Sequence, residues 1–427
     1  MEVLRISTAG SVDDGKSTLI GRLLYETNSI PVDKLEAIER ASQRKGISFL
    51  DLSLLTDGLI AEREQGITID VAHIYFHTNK RKFIITDAPG HVEYTRNMIT
   101  GASKADVSII LIDARKGVLE QTHRHYFISN LLRIGKVIVC VNKMDLVDFK
   151  EAPFREIEKT FLDFAKQIQF PGPRSAEAGY AEATQDITVM PVSSLLGDNI
   201  TRQSESMPWY KGEPLLNILE AIQVNTDLDR RPARFPVQYV IRPRNESHRD
   251  FRGYAGRMLS GIIKVGDDVT VQPSGRTSRV TRISMFDQEL QQASARESVV
   301  VELEDNVDVS RGDWLVPKSE ATNLKTEIEA SICWVNAEPF NSSKVYLLQH
   351  GTSLTKAKVT QINFVQIPST LEKTTPTSLK MNDIASVKIK TAKSLLIDSF
   401  DDNKANGSFI LVDEHSNNTV AVGVAAF

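Results

Sequence analysis

The chain's 427 residues, 41% hydrophobic and 25% charged, fit a soluble globular protein of about three domains at roughly 150 residues each. Fifty-one Lys and Arg against 55 Asp and Glu leave a formal charge of −4, which excludes a protein whose main business is coating nucleic acid. Cys140 and Cys333 sit far apart in apolar runs, so a disulfide framework and a thiolate metal site are excluded, and a reducing, cytoplasmic setting is expected. No apolar run approaches the ~20 residues of a membrane helix. Met1 leads almost directly into strand-like sequence, without the basic and apolar regions of a signal peptide.

Residues 3–222 alternate short β-branched runs with amphipathic stretches. Strands are expected over Val3–Thr8, Val71–His77, Lys82–Thr86, Val107–Ile112, Val137–Val141 and Ile187–Val192, and helices over Thr18–Thr27, His123–Arg133 and Phe154–Gln169. That alternation is the mark of βαβ units, hence an α/β domain with a mostly parallel sheet. Thr78–Arg81 is only hairpin-length, so Val71–His77 should be an antiparallel edge strand. After Gln223 the character shifts. Asn225–Pro236, with three arginines and two prolines, reads as a linker. Short strands then recur over Gln238–Ile241, Gly261–Lys264, Asp268–Gln272, Arg279–Ile283 and Ser298–Leu303, separated by Gly- and Pro-bearing turns. That is a closed all-β unit, barrel or sandwich. A second break near Pro317–Lys325 opens another β-rich segment. The expected domains are 1–224, 225–320 and 321–427.

Gly10-Ser11-Val12-Asp13-Asp14-Gly15-Lys16-Ser17 fits G-x-x-x-x-G-K-[ST] at every fixed position, between a strand and the helix that opens at Thr18. Glycines let backbone N–H groups converge on an anion, and the helix N-terminus adds a favourable dipole. Lys16 would reach the β- and γ-phosphates, and the Ser17 hydroxyl would ligate Mg²⁺. Further on, Asp87-Ala88-Pro89-Gly90-His91 begins at a strand's C-terminal end, where ligands gather in such sheets. Asp87 suits Mg²⁺ through a water, Gly90 allows close approach to the γ-phosphate, and His91 is the candidate to orient the hydrolytic water.

Between these motifs, Glu62-Arg63-Glu64-Gln65-Gly66-Ile67-Thr68-Ile69-Asp70 offers Thr68 as a second protein ligand to the metal. A loop ordered only by γ-phosphate and metal is a two-state switch. Asn142-Lys143-Met144-Asp145 follows another strand. A carboxylate there accepts from guanine N1–H and the 2-amine, which adenine lacks, and a buried acceptor left unpaired penalises the wrong base. Lys143 would lie along the base plane, and backbone N–H groups of Ser193-Ser194-Leu195 would meet guanine O6. Four motifs in this order, each at a strand end, describe a guanine-nucleotide switch.

The order GSVDDGKS, EREQGITID, DAPGH and NKMD, followed by two β modules, resembles the translation-factor class of P-loop GTPases. The segments GSVDDGKSTLIGRLLYET, LLTDGLIAEREQGITIDVAH, GDNI with MPWYKGEPLL, FPVQYVIRP, DFRGYAGRMLSG and GSFILVD together resemble the large GTPase subunits of bacterial sulfate adenylyltransferase, over nearly the whole chain. Asp14, where elongation factors usually carry His, and Met207-Pro208-Trp209-Tyr210 are the most telling points.

The resemblance implies an elongation-factor-Tu-like architecture, a GTPase domain followed by two β-barrels. It also implies a nucleotidyltransferase heterodimer of sulfate assimilation. GTP and Mg²⁺ are its cofactors, and a smaller partner subunit binds ATP and sulfate and forms adenylyl sulfate and pyrophosphate. GTP hydrolysis on the large subunit drives that step. By motif, Gly10–Ser17, Asp87–His91 and Asn142–Asp145 become GTP contacts, with Ser17 and Thr68 as direct metal ligands; neither nucleic acid nor membrane is an expected partner.

Ser194 stands where the family usually has alanine, and Arg244–Arg249 lengthens a loop that is basic together with Arg242 and Arg252. No second G-x-x-x-x-G-K occurs before Phe427, so a fused adenylyl-sulfate kinase activity is expected to be absent. The alternatives are an elongation-factor-like carrier of aminoacyl-tRNA and a regulatory GTPase with no coupled chemistry.

Overall fold

Seven consecutive buried residues, Val107–Asp113, mark a strand covered on both faces, and they lie at the heart of a six-stranded sheet. A computed structural model of the chain describes residues 3–44, 50–55, 72–87, 95–168, 185–224, 227–243, 251–320, 322 and 324–426. The sheet contains β1 (Val3–Gly10), β2 (Ala72–His77), β3 (Lys82–Asp87), β4 (Val107–Asp113), β5 (Lys136–Asn142) and β6 (Asp186–Pro191). Its order is β2-β3-β1-β4-β5-β6, with β2 antiparallel to β3 and every other pair parallel. The four-residue connection sets His77 opposite Lys82, as the hairpin length requires, and β2 alternates half-buried or buried positions with exposed ones like an edge strand.

The helices are α1 (Lys16–Glu26), α2 (Val32–Arg44), α3 (Thr95–Ala102), α4 (Glu120–Leu131), α5 (Glu151–Ala165) and α6 (Leu215–Ala221). Leu19, Ile20 and Leu23 form one face of α1 and join Leu4, Ile6, Ile109, Leu111 and Leu219 in a common core. Several expected bounds move, with α4 and α5 each opening three residues early, at Glu120 and Glu151. Helix α1 opens at Lys16 rather than Thr18, so the phosphate-loop lysine and serine lie in its first turn. The region expected as a linker to Pro236 gives way earlier, because Phe235 and Pro236 already belong to the strand Phe235–Ile241.

The chain separates into two compact units, 1–224 with 368–371, and 225–367 with 372–427. Within the second unit, 268–272, 314–317, 235–241, 253–257, 298–303, 276–285 and 288–290 pair in that order, and 268–272 pairs again with 276–285. The sheet thereby closes on itself, which decides between barrel and sandwich in favour of the barrel. A second seven-stranded sheet over 324–425 closes the same way, through Tyr346–His350 against Ser353–Gln366. Each closed sheet has its own apolar core.

A buried cation joins them. Arg234 donates through Nε and Nη2 to the two oxygens of Asp398, each at 3.0 Å, and through Nη1 to Glu320 at 3.3 Å. Asn403 and Asn406 donate to the same Asp398 carboxylate. Cys140 and Cys333 are both buried free thiols. No helix among the described residues is long and apolar enough to cross a membrane.

Candidate functional site

The strand-to-helix turn after β1 is shaped by two residues in the left-handed region, Asp13 (φ 68°) and Gly15 (φ 92°). Gly15 has two reasons to be glycine. Its φ strains any side chain, and a Cβ there would stand 2.5 Å from Asn142 Nδ2. Its carbonyl accepts the first helical bond, from Leu19 N–H at 2.9 Å.

Asp14, which sequence reading singled out only as a departure from elongation factors, folds its carboxylate back across the loop. Ser11 N–H donates to Asp14 Oδ2 at 2.7 Å, and Asp14 N–H donates to Ser11 O at 3.2 Å. Burial pushes the Asp14 carboxyl above the ordinary carboxylate range, against the opposing pull of the Ser11 N–H. Its Oδ1 and Ser11 Oγ are buried without a hydrogen-bond partner among the described residues.

Lys16 is only 8% exposed and its Nζ donates to Gly10 O at 3.2 Å. Burial lowers its pKa, with the charges of Asp87, Asp14 and Asp13 acting the other way. Val12, Ser17 and Thr18 are half-buried around the turn, and Asp13 is exposed. Asp87 ends β3 beside β1, and Thr8 Oγ1 donates to its Oδ1 at 3.0 Å. Thr68, Ala88, Pro89, Gly90 and His91 lie outside the described residues, as does the loop 244–250.

Asn142 ties the turn to the strand end at Ser194. Its Nδ2 donates to Asp14 O at 2.8 Å, while its Oδ1 accepts from Ser194 N–H at 3.0 Å and Ser194 Oγ at 2.9 Å. The serine in place of the usual alanine therefore adds a second donor to Asn142. Lys143, itself at φ 63°, donates to Asp13 O and pairs with Asp113 at 3.1 Å. Asp145 is half-buried and accepts from Ser193 Oγ at 2.6 Å. Met144 is fully buried beneath this strand end, with its N–H on Val192 O.

Of the three backbone N–H groups expected to meet guanine O6, Ser194 N–H is held by Asn142. Leu196 N–H, one position further, donates to Ser193 Oγ at 3.3 Å. The Leu195 N–H has no partner among the described residues.

Three contributors escaped the sequence reading. Asp113 ends β4, pairs with Arg115 at 2.7 Å and Lys143 at 3.1 Å, and is held well below the usual carboxylate range by those donors despite its burial. A single acid closing a buried, mostly apolar strand was the available signal. Trp209, noted only as a family mark, donates its indole N–H to Phe149 O at 2.9 Å; Phe149 N–H in turn donates to Met144 O at 2.9 Å. Asp148 and Phe149 both have positive φ, and the tryptophan fixes that turn directly behind Asp145. Arg22 on α1 reaches the carbonyls of Ser194 and Leu195, a contact no local pattern could announce.

Comparison with known proteins fits this geometry. The family described as Elongation factor Tu GTP binding domain matches residues 1–228, Elongation factor Tu domain 2 matches 254–316, and GTP-eEF1A C-terminal domain-like matches 327–426. A sulfate adenylyltransferase subunit 1 of Aliarcobacter butzleri is 46% identical over 99% of this chain and 87% of its own length. One of Bacteroides fragilis is 46% identical over 99% and 86%. A bifunctional enzyme CysN/CysC of Mycobacterium tuberculosis is 43% identical over 99% of this chain and 67% of its own length. A solved structure of sup35 complexed with GMPPNP aligns over 100% of this chain and 94% of its own, at 22% identity and a TM-score of 0.44.

Proposed function

We infer, from a chain that belongs to the sulfate adenylyltransferase subunit 1 family within the elongation-factor-Tu-type GTP-binding proteins, that it is the GTPase subunit of a sulfate-activating enzyme. One observation carries the choice of reaction over its alternatives: relatives bearing that name match along 99% of the chain, barrels included. The translational reading, a carrier of aminoacyl-tRNA, has no comparable support.

In this reading the turn Gly10–Ser17 cradles the phosphates of GTP, with Lys16 released from Gly10 O onto the β- and γ-phosphates. Asp145 accepts from guanine N1–H and the 2-amine, and Lys143 supports the base plane while tied to Asp13 and Asp113. Asn142 keeps phosphate and base ends in one register. The residues suit Mg²⁺: the Ser17 hydroxyl and the Asp87 carboxylate are hard oxygen donors, and such ions take one or two protein oxygens beside the substrate phosphates. Among the described residues no group of three or more His, Cys, Asp or Glu competes as a self-sufficient metal site. Bound there with Thr68 as a second direct ligand and Asp87 acting through water, the ion would neutralise charge on the phosphates. His91 orients the attacking water, and the loop bearing Thr68 is the switch.

The partner is a smaller subunit that joins AMP from ATP to sulfate. That mixed anhydride is strongly unfavourable to form, and GTP hydrolysis on this chain offsets the cost. The chain works in the cytoplasm, as domains 1–224, 225–320 and 321–427.

Co-production with such a subunit tests the reading. Pyrophosphate release should require sulfate, ATP and GTP together, and Thr68→Ala and His91→Ala should lower GTP hydrolysis and adenylyl-sulfate formation in parallel. Synthesis that persists at the wild-type rate while hydrolysis is abolished would show that hydrolysis does not drive the reaction.

A further inference from the structure

We propose that Arg22 is a specificity-positioning residue: held by the helix that grows out of the phosphate turn, it grips the guanine-reading loop from behind and aims the Leu195 N–H at the base. The proposal rests on the assignment of Asn142–Asp145 and Ser193–Leu195 as the base reader.

Arg22 lies on α1 six residues after Lys16, and its side chain is 15% exposed. Its Nε donates to Ser194 O at 3.1 Å, and its Nη2 donates to Leu195 O. A trans peptide is planar, and its C=O and N–H point in opposite directions. Fixing Ser194 O therefore fixes the N–H of Leu195, which belongs to the same peptide unit and faces the other way. The next peptide is pinned at both ends, by Arg22 on Leu195 O and by Ser193 Oγ on Leu196 N–H. Asn142 already holds Ser194 N–H, so Leu195 N–H is left as the donor that this fork orients.

The guanidinium is itself held. Glu26, one helical turn on, lies 3.7 Å from Arg22 and accepts from Thr201 Oγ1 beyond the loop. Gly197, at φ 91°, lets the loop pass close: a Cβ there would stand 2.3 Å from Glu26 Oε1 and 3.6 Å from Arg22 Cδ. The planar fork of arginine suits two carbonyls at once, whereas a lysine supplies a single point donor. Phosphate turn and O6 donor thus ride on one rigid helix, α1.

Nucleotide affinities of Arg22→Met and Arg22→Lys test this, with thermal melting as the check on folding. The probes are GTP, GDP, inosine triphosphate, which lacks the 2-amine, and 6-thioguanosine triphosphate, which alters only the O6 acceptor. For Arg22→Met, GTP and GDP should weaken alike by roughly tenfold, the loss of charge-assisted hydrogen bonds behind one donor. The thio analogue should weaken far less, so its penalty relative to GTP shrinks, while the GTP-to-inosine ratio holds. Arg22→Lys should fall between the two. Unchanged GTP affinity, or equal losses for GTP and the thio analogue, overturns the proposal. Failure of the base-reading assignment is separate: it would appear as an Asp145→Asn variant that keeps its full preference for guanine.

Discussion

Two buried cations in this molecule are treated in opposite ways. Arg234 in the barrel unit is 4% exposed and is met by both oxygens of Asp398 and by Glu320, with Asn403 and Asn406 completing the carboxylate's shell. Lys16 in the GTPase unit is 8% exposed, yet among the described residues its Nζ donates to a single carbonyl, and burial depresses its pKa. A buried charge without a counter-ion is expensive, and in the proposed reading the nucleotide's phosphates supply the anion that meets this one. The anions show the same contrast. Asp398 is fully engaged, whereas among the described residues Asp145 accepts one side-chain hydroxyl, from Ser193 across the neighbouring strand end. Saturated charges make joints, and in the proposed reading the under-paired ones meet the nucleotide.

Lys16→Ala puts the largest strain on that distinction. GTP affinity should fall by about a thousandfold, consistent with a charge contact to phosphate in a water-poor turn. Thermal stability should hold or rise, because the native state no longer buries an under-paired ammonium. A strong drop in melting temperature would make Lys16 a structural cation like Arg234.

The converse substitution is Asp398→Ala. It strands most of the Arg234 guanidinium and should cost about 3 kcal/mol, with Glu320 keeping the loss at the lower end for a broken buried pair. Denaturant melts would show it, and GTP affinity should not move. A stability change under about 0.5 kcal/mol would mean the network joins nothing.

For Asp145→Asn, GTP should weaken by about a hundredfold and xanthosine triphosphate should gain, because the amide can donate to the carbonyl that replaces guanine's amine. Equal affinities before and after would remove Asp145 from the base reader.

A further effect is one of pH. His125 on α4 is buried, and burial, then the charges of Lys16 and Arg124, lowers its pKa to about 3. Its folded pKa lies below the unfolded value near 6.5, so the unfolded chain binds the extra proton first. The stability this group contributes is present above about pH 6.5 and fades as pH falls toward 3. His125→Phe should flatten that part of the stability profile, read by thermal melts across pH. A profile unchanged by the substitution would show that other groups set it.

Much of the phosphate end was legible because its chemistry is local. Gly10, Gly15, Lys16 and Ser17 lie within eight positions, and one strand-to-helix turn brings them together. The base end was only half legible. Asn142–Asp145 could be read from its position after an apolar strand. The bonds from Asn142 to Asp14 and Ser194 cross 128 and 52 positions of sequence and leave no mark in any window. Helix α1 begins two residues before its apolar pattern does, for a related reason. Amphipathic periodicity begins at Thr18, whereas the helix itself begins where Gly15 turns left-handed.

The sequence by itself determined the alternation of strands and helices in the first half, the four motifs and the closed β character of the second half. Periodicity, glycine conformational freedom and turn length act within a few residues, and those are visible in a string. Only the tertiary structure decided barrel over sandwich, the polar joint around Arg234, the bracing of the Asp148-Phe149 turn by Trp209, and the grip of Arg22 on Ser194 and Leu195. Each of these is a hydrogen bond or strand closure between segments far apart in the chain. Such contacts form only after the apolar faces have packed, and their partners are chosen by the geometry of that packing.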